Sequence, residues 1–178
     1  MEVTALFDGD VVAYRAGFAA EKRYYYDARK PPESGGPTWD TKKEALYEIE
    51  EQYLEHDRDL EPLENALQNA KSLIANSLEA IESKYPDSVV DYITFVSGNQ
   101  KKPNFRKEVD PQYKAHRKAE HRPTYLKDIL KYLVDNHAGF STEGCEADDF
   151  FGHAANDARK EGKVPVIVSV DKDLKQLA

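Results

Sequence analysis

A single cysteine in 178 residues, Cys145, leaves no internal disulfide to form and fits a reducing compartment. No window approaches the roughly 18 uncharged apolar residues of a membrane-spanning helix. The opening "MEVTALFDGD" has no basic region ahead of an apolar run and does not read as a secretory signal. A cytoplasmic location is therefore expected. The chain also lacks an internal repeat and any Pro/Gly/Ser linker that would divide it, so one domain over residues 1–178 is expected. Apolar content is low at 40% and charged content high at 33%. With a mean hydropathy of −0.76, this describes a soluble protein with long solvated helices.

Positive charge is scarce overall, since the net charge is −8, and at face value that argues against nucleic acid as a partner. The distribution reverses this locally. Residues 101–122, "KKPNFRKEVDPQYKAHRKAEHR", hold eight Lys/Arg against three Asp/Glu, a net of +5 within a chain of net −8, so the remaining residues sum to −13. Phe105, Tyr113 and two histidines lie among those cations, giving a focused patch of nucleic-acid type. An ordinary solvated loop is the alternative reading.

Hydrophobic patterning predicts an α/β chain. Strands are expected at 3–8 ("VTALFD"), 91–97 ("DYITFVS"), 139–142 ("GFST") and 164–170 ("VPVIVSV"). Helices are expected after the first strand with Asp10 as cap, at 123–137 behind Pro123, and at 145–162 ended by Gly162. The Pro/Gly-rich segment 22–39 reads as a hairpin insertion, with Tyr24, Tyr25, Tyr26 and Trp39 serving its own packing. Thr41-x-x-Glu44 is a capping-box signature opening a helical stretch to about residue 84, broken or kinked at Pro62. The alternation implies a parallel, right-handed sheet flanked by helices.

In such sheets ligands bind at the carboxyl ends of the strands. Acids gather there: Asp8 closes the first strand, Asp171 and Asp173 close the fourth, and "EADD" (Glu146, Asp148, Asp149) opens the helix after the third. Carboxylates crowded in one cleft repel unless cations sit among them, and oxygen donors without His or Cys favour Mg²⁺ or Mn²⁺ over zinc. Two such ions about 4 Å apart suit hydrolysis of a phosphodiester. Each acid also has a plainer reading, as a turn residue or as a favourable charge on a helix dipole. Cys145 reads as a packed residue beside the acids.

"LFDGD", "FRKEVDPQYKAHRK", "GCEADD" and "SVDKDLKQL", in this order, resemble the phage 5′→3′ exonucleases of the flap endonuclease superfamily. That group, with a PIN-like fold, includes phage RNase H type enzymes and the 5′-nuclease domain of bacterial DNA polymerase I. The resemblance runs from residue 3 to the end apart from 22–88. It implies that Asp8, Glu146, Asp148, Asp149, Asp171 and Asp173 bind two Mg²⁺ or Mn²⁺ ions directly or through water. Asp148 and Asp171 would lie nearest the first ion, and Asp173 would lean toward the second. It places Arg106, Tyr113, Lys114 and Arg117 in a basic arch, residues 98–122, with Lys118 and Arg122 beside them on the DNA. Lys114 and Arg117 would charge-stabilise the scissile phosphate, and Tyr113 would stack.

Two departures qualify it. Relatives carry an acid just after the second strand, where this chain has Ser97 and Gly98. The family also continues past "DKDL" into further acids and a helix-hairpin motif gripping duplex DNA, whereas this chain stops at Ala178. The resemblance thus implies the N-terminal part of a longer nuclease, its second metal site completed by a missing C-terminal portion or partner chain. The expected function is metal-dependent 5′→3′ exonuclease or flap endonuclease action on DNA with a 5′ end, flap or single-stranded branch, extending to RNA in hybrids. A compact PIN-type ribonuclease and a catalytically weak DNA-binding fragment are the alternatives.

Overall fold

The computed structural model describes residues 1–98, 105–113 and 122–177. Lys114, Arg117 and Lys118 of the expected arch lie outside the described residues, as does much of the 98–122 segment.

Strand β1 (Glu2–Asp8) is buried along its length from Val3 to Asp8. An apolar run with no polar face can only be a central strand covered on both sides. It is one, in a four-stranded sheet ordered β6–β5–β1–β7, where β5 is Val89–Ser97, β6 is Gly139–Thr142 and β7 is Val164–Val168. All three pairings are parallel. Side chains alternate across β1: Val3, Ala5 and Phe7 enter one core with Val12, Ala16, Ala70, Ile74, Ile129 and Leu133, while Leu6 enters the other with Phe95, Phe151 and Leu174. The first core lies under helices α1 (Gly9–Ala19), α3 (Leu63–Lys84) and α5 (Leu126–Asn136), with α2 and α4 defined below. The second lies under α6 (Asp148–Lys160) and a terminal 3₁₀ turn, Asp173–Leu177. This is the helix-flanked parallel sheet of a resolvase-like, PIN-type fold.

Register brings the carboxyl ends of the strands together. Asp8 lies beside Phe95, Phe7 beside Val168, and Ser97 beside Thr142. The chain builds outward from β1 to β5 and β6, then returns through α6 to β7 on the other side of β1. That reversal makes the edge at Asp8 the switch point where open α/β sheets leave a crevice.

A second, antiparallel sheet of order β3–β2–β4 joins β2 (Glu21–Asp27), β3 (Thr38–Trp39) and β4 (Leu54–Leu60). Here the expectation of continuous helix before Pro62 is corrected. The capping box at Thr41 and Glu44 is present, with Glu44 N donating to Thr41 Oγ1 at 3.2 Å and Thr41 N to Glu44 Oε2 at 3.1 Å. The helix it opens, α2 (Lys42–Ala45), lasts four residues, and residues 54–60 are strand. A helix through here would stack Glu51, Glu55 and Asp59 at i,i+4, a repulsive row. As a strand, the segment sets Glu55, Asp57 and Asp59 opposite Tyr26, Tyr24 and Lys22, and Tyr26 Oη donates to Glu55 at 2.9 Å. The aromatics pair within this sheet: Tyr24 with Tyr26 at 6.2 Å and Tyr25 with His56 at 5.9 Å between ring centroids.

A buried ion pair fastens this sheet to the entry of α5. Arg58 Nη1 donates to Glu21 Oε1 at 2.9 Å, with side chains 15% and 5% exposed. It also donates to the Arg122 carbonyl at 2.7 Å, while Thr124 donates to Glu21 Oε2 through both N and Oγ1 at 3.0 Å.

The site end of the sheet depends on close approach at Gly9, which opens α1. A Cβ there would sit 2.7 Å from the Phe95 carbonyl oxygen and 2.7 Å from Val96 Cγ2. Gly9→Ala should therefore lower unfolding free energy by about 1–3 kcal/mol, read by chemical denaturation. A stability equal to the parent's would show that α1 has slack against β5.

Candidate active site

The acids are placed by backbone before chemistry. Asp8 is the true cap of α1: its Oδ1 accepts the Val11 N–H at 3.0 Å. Its Oδ2 accepts Ser169 Oγ at 2.8 Å, and Ser169 Oγ in turn accepts the Asp171 N–H at 3.1 Å, so Asp8 also anchors the turn after β7. The cap role expected for Asp10 is thereby corrected. Asp10 lies in the first turn, where its Oδ1 accepts the Ser97 N–H at 3.0 Å from the end of β5. Ser97 Oγ accepts the Ala147 N–H at 3.1 Å, tying the end of β5 to the start of α6. Phe95 centres the packing that holds α6, with ring centroids 5.1 Å from Phe151 and 6.2 Å from Phe150.

These acids feel one another. Burial is the main cause that raises the Asp8 pKa, against the bonds from Val11 and Ser169, and the Asp10 and Asp148 carboxylates push it further up. The Asp10 pKa is also raised, first by burial, then by Asp148 and Glu146, with the Ser97 hydroxyl and N–H opposing. Four carboxylates from two strand ends, those of β1 and β6, thus share one cleft. Among the described residues no three Asp, Glu, His or Cys groups are drawn to metal-ligand spacing.

The remaining expected residues divide in two. Short helix α4 (Phe105–Val109) docks beside the "EADD" turn, with Phe105 N donating to the Gly144 carbonyl at 2.9 Å. Arg106 binds Asp149 bidentately, Nη2–Oδ1 2.6 Å and Nη1–Oδ2 3.0 Å, and lies 3.6 Å from Glu146. Asp149 Oδ2 also accepts the Glu146 N–H at 3.0 Å. The Tyr113 hydroxyl lies 3.3 Å from Glu146 Oε2. Arg106 and Tyr113 therefore meet the acids themselves, and Asp149 holds Arg106. Asp171 and Asp173 sit on an exposed turn, where Asp171 Oδ1 accepts the Asp173 N–H at 2.9 Å. Arg122 is exposed beside Arg58. The Cys145 thiol donates to the Glu143 carbonyl, and burial and Asp149 push its pKa up, the opposite of an activated nucleophile.

Asp10 is the acid of this cleft that sequence reasoning left out of the candidate site. One signal was available, the "DGD" spacing that puts both acids at one strand end, but the helix start was set two residues late.

The model of the family described as "5′-3′ exonuclease, N-terminal resolvase-like domain" matches residues 3–178. A DNA polymerase I of Pseudomonas aeruginosa is 30% identical over 112 residues, which cover 58% of this chain and 11% of that protein. The chain thus spans a small fraction of that relative's length. No solved structure matches.

The raised Asp8 pKa sets a direction for stability. Its folded value lies above its unfolded one, so the charged group opposes folding at neutral pH, and that cost disappears as pH falls through the folded value. Without divalent ions, Asp8→Asn should melt above the parent at pH 7, with the gap closing toward about pH 4. A gap that widened on acidification, followed by thermal melts, would reverse the sign assigned to this carboxylate.

Proposed function

The chain belongs to the family of 5′–3′ exonuclease N-terminal resolvase-like domains, and from that premise we propose that it is a divalent-cation-dependent nuclease hydrolysing DNA at or near 5′ ends, flaps included. The observation that carries this is the convergence of Asp8, Asp10, Glu146 and Asp148 on the carboxyl edge of the sheet, where Asp148 bears on the ionisation of both Asp8 and Asp10, and Glu146 on that of Asp10. All donors are carboxylate oxygens, the set that Mg²⁺ and Mn²⁺ take. Burial leaves the Asp8 and Asp10 charges poorly solvated, a condition that a dication relieves. The residues present therefore fit such ions in kind.

Asp8, Glu146 and Asp148 would hold the cations, with Asp171 and Asp173 reaching in from their exposed turn. Bound there, paired divalent ions supply a water of lowered pKa and charge stabilisation for the leaving oxygen. The chain's own part is positioning. Asp8 is fixed at both oxygens by Val11 and Ser169, so its carboxylate cannot swing with substrate. Asp148 opens α6, whose Phe151 and Ala155 pack with Phe95, so its backbone position is held by that core. Asp149 orients Arg106, a guanidinium that can take a phosphate oxygen in bidentate fashion. Lys114, Arg117 and Lys118 would add charge along the DNA, as their sequence positions suggest, with Arg122 at the far end of the segment.

Asp148→Asn is the test. It should lower Mg²⁺-supported cleavage of a 5′-flap DNA at least about a hundredfold while the circular dichroism spectrum is unchanged. Blunt duplex DNA and single-stranded RNA, assayed alongside, separate this reading from a ribonuclease. Near-parental flap cleavage by the variant would remove the acids from the mechanism.

A further inference from the structure

We infer that Asp10 is a further carboxylate of the cation site, contributing its charge at the strand end where the chain has Ser97. This rests on the divalent-cation reading above. Three observations lead to it. Asp10 is not needed as the cap of α1, because Asp8 fills that role through Val11. Its carboxylate turns inward to the end of β5, taking the Ser97 N–H at 3.0 Å, and the charges that bear on it are Asp148 and Glu146. No Lys or Arg of the described residues pairs with it.

An inward carboxylate facing two others, with no Lys or Arg of the described residues paired to it, is costly. If its only task were to tie α1 to β5, an asparagine would accept the same N–H with no charge to compensate. A favourable term with the dipole of α1 is small, about 0.3–1 kcal/mol, and is equally available to an outward-facing acid. A dication between the strand ends accounts for all three features. The Ser97 bond connects the position of this charge to the end of β5. Asp10 and residue 97 are one hydrogen bond apart, so a carboxylate on either would reach the same part of the cleft.

The experiment is calorimetric titration of the chain with Mn²⁺ in the absence of DNA, a readout independent of turnover. Asp10→Asn keeps the acceptor for Ser97 N and should fold, as thermal melting will check, but bind Mn²⁺ at least about tenfold more weakly. Adding Ser97→Asp to that variant returns a carboxylate to the cleft and should restore most of the affinity. Recovery cannot be produced by a purely structural Asp10, so a double variant as weak as the single one overturns the proposal. Asp148→Asn runs beside them. If it loses Mn²⁺ while Asp10→Asn binds like the parent, Asp10 is only a tie between α1 and β5 and the cation site stands without it. If neither variant loses Mn²⁺, the cation reading itself fails, and this inference with it.

Discussion

A strand covered on both faces has only its ends to offer to solvent, and β1 is such a strand. Wedged between β5 and β7 with both faces under helices, it delivers Asp8 to the middle of one sheet edge. Much of the site follows from that placement. Parallel pairing aligns the ends of β5 and β7 beside it, and the crossover that leaves β6 for α6 carries Glu146, Asp148 and Asp149 to the same edge. A carboxylate there is hemmed in by backbone and cannot be solvated as a surface acid would be. The chain meets Asp8 and Asp10 with hydrogen bonds from Val11, Ser169 and Ser97. Those bonds hold the oxygens in place but leave their charge largely intact.

Much of this was legible in the amino-acid sequence because it is local. "VTALFD" and "DYITFVS" show strands through unbroken apolar runs, and the apolar spacing of Leu67, Ala70, Ile74 and Ile81 shows α3. Where reading failed, the deciding partner was distant. Residues 54–60 carry helix-compatible amino acids, but cross-strand neighbours on β2, 29 positions earlier for Glu55 and its partner Tyr26, turn them into a strand. The capping assignment has the same origin. Either acid can cap a helix, and only the fold shows that Asp8 takes the Val11 N–H while Asp10 takes the Ser97 N–H at the end of β5. Charge patterning pointed to a basic segment near the acids, but that Arg106 would lie on Asp149 required the folded turn at 144–149.

The small antiparallel sheet gives the basic segment a fixed neighbour. Glu21 joins Arg58 of β4 and Thr124 at the entry of α5, so the insertion between α1 and α3 braces the chain just after Arg122. At the other end, Phe105 and Arg106 are fastened to the turn before α6. Described residues on both sides of the segment are thus attached to different parts of the same scaffold.

The Arg106–Asp149 pair has a thermodynamic consequence. A guanidinium remains protonated across any physiological pH, so this contact responds to competing ions rather than to acidity. Under the proposed function, two kinds of charge contend here: dications for the carboxylates, and phosphate for the arginine. Linkage between such equilibria is reciprocal. If phosphate draws Arg106 away, Glu146 and Asp149 are left with a greater demand for positive charge. If dications satisfy those acids, the arginine is freer to leave. Each ligand would then strengthen the other's binding by the same factor, through a single side chain.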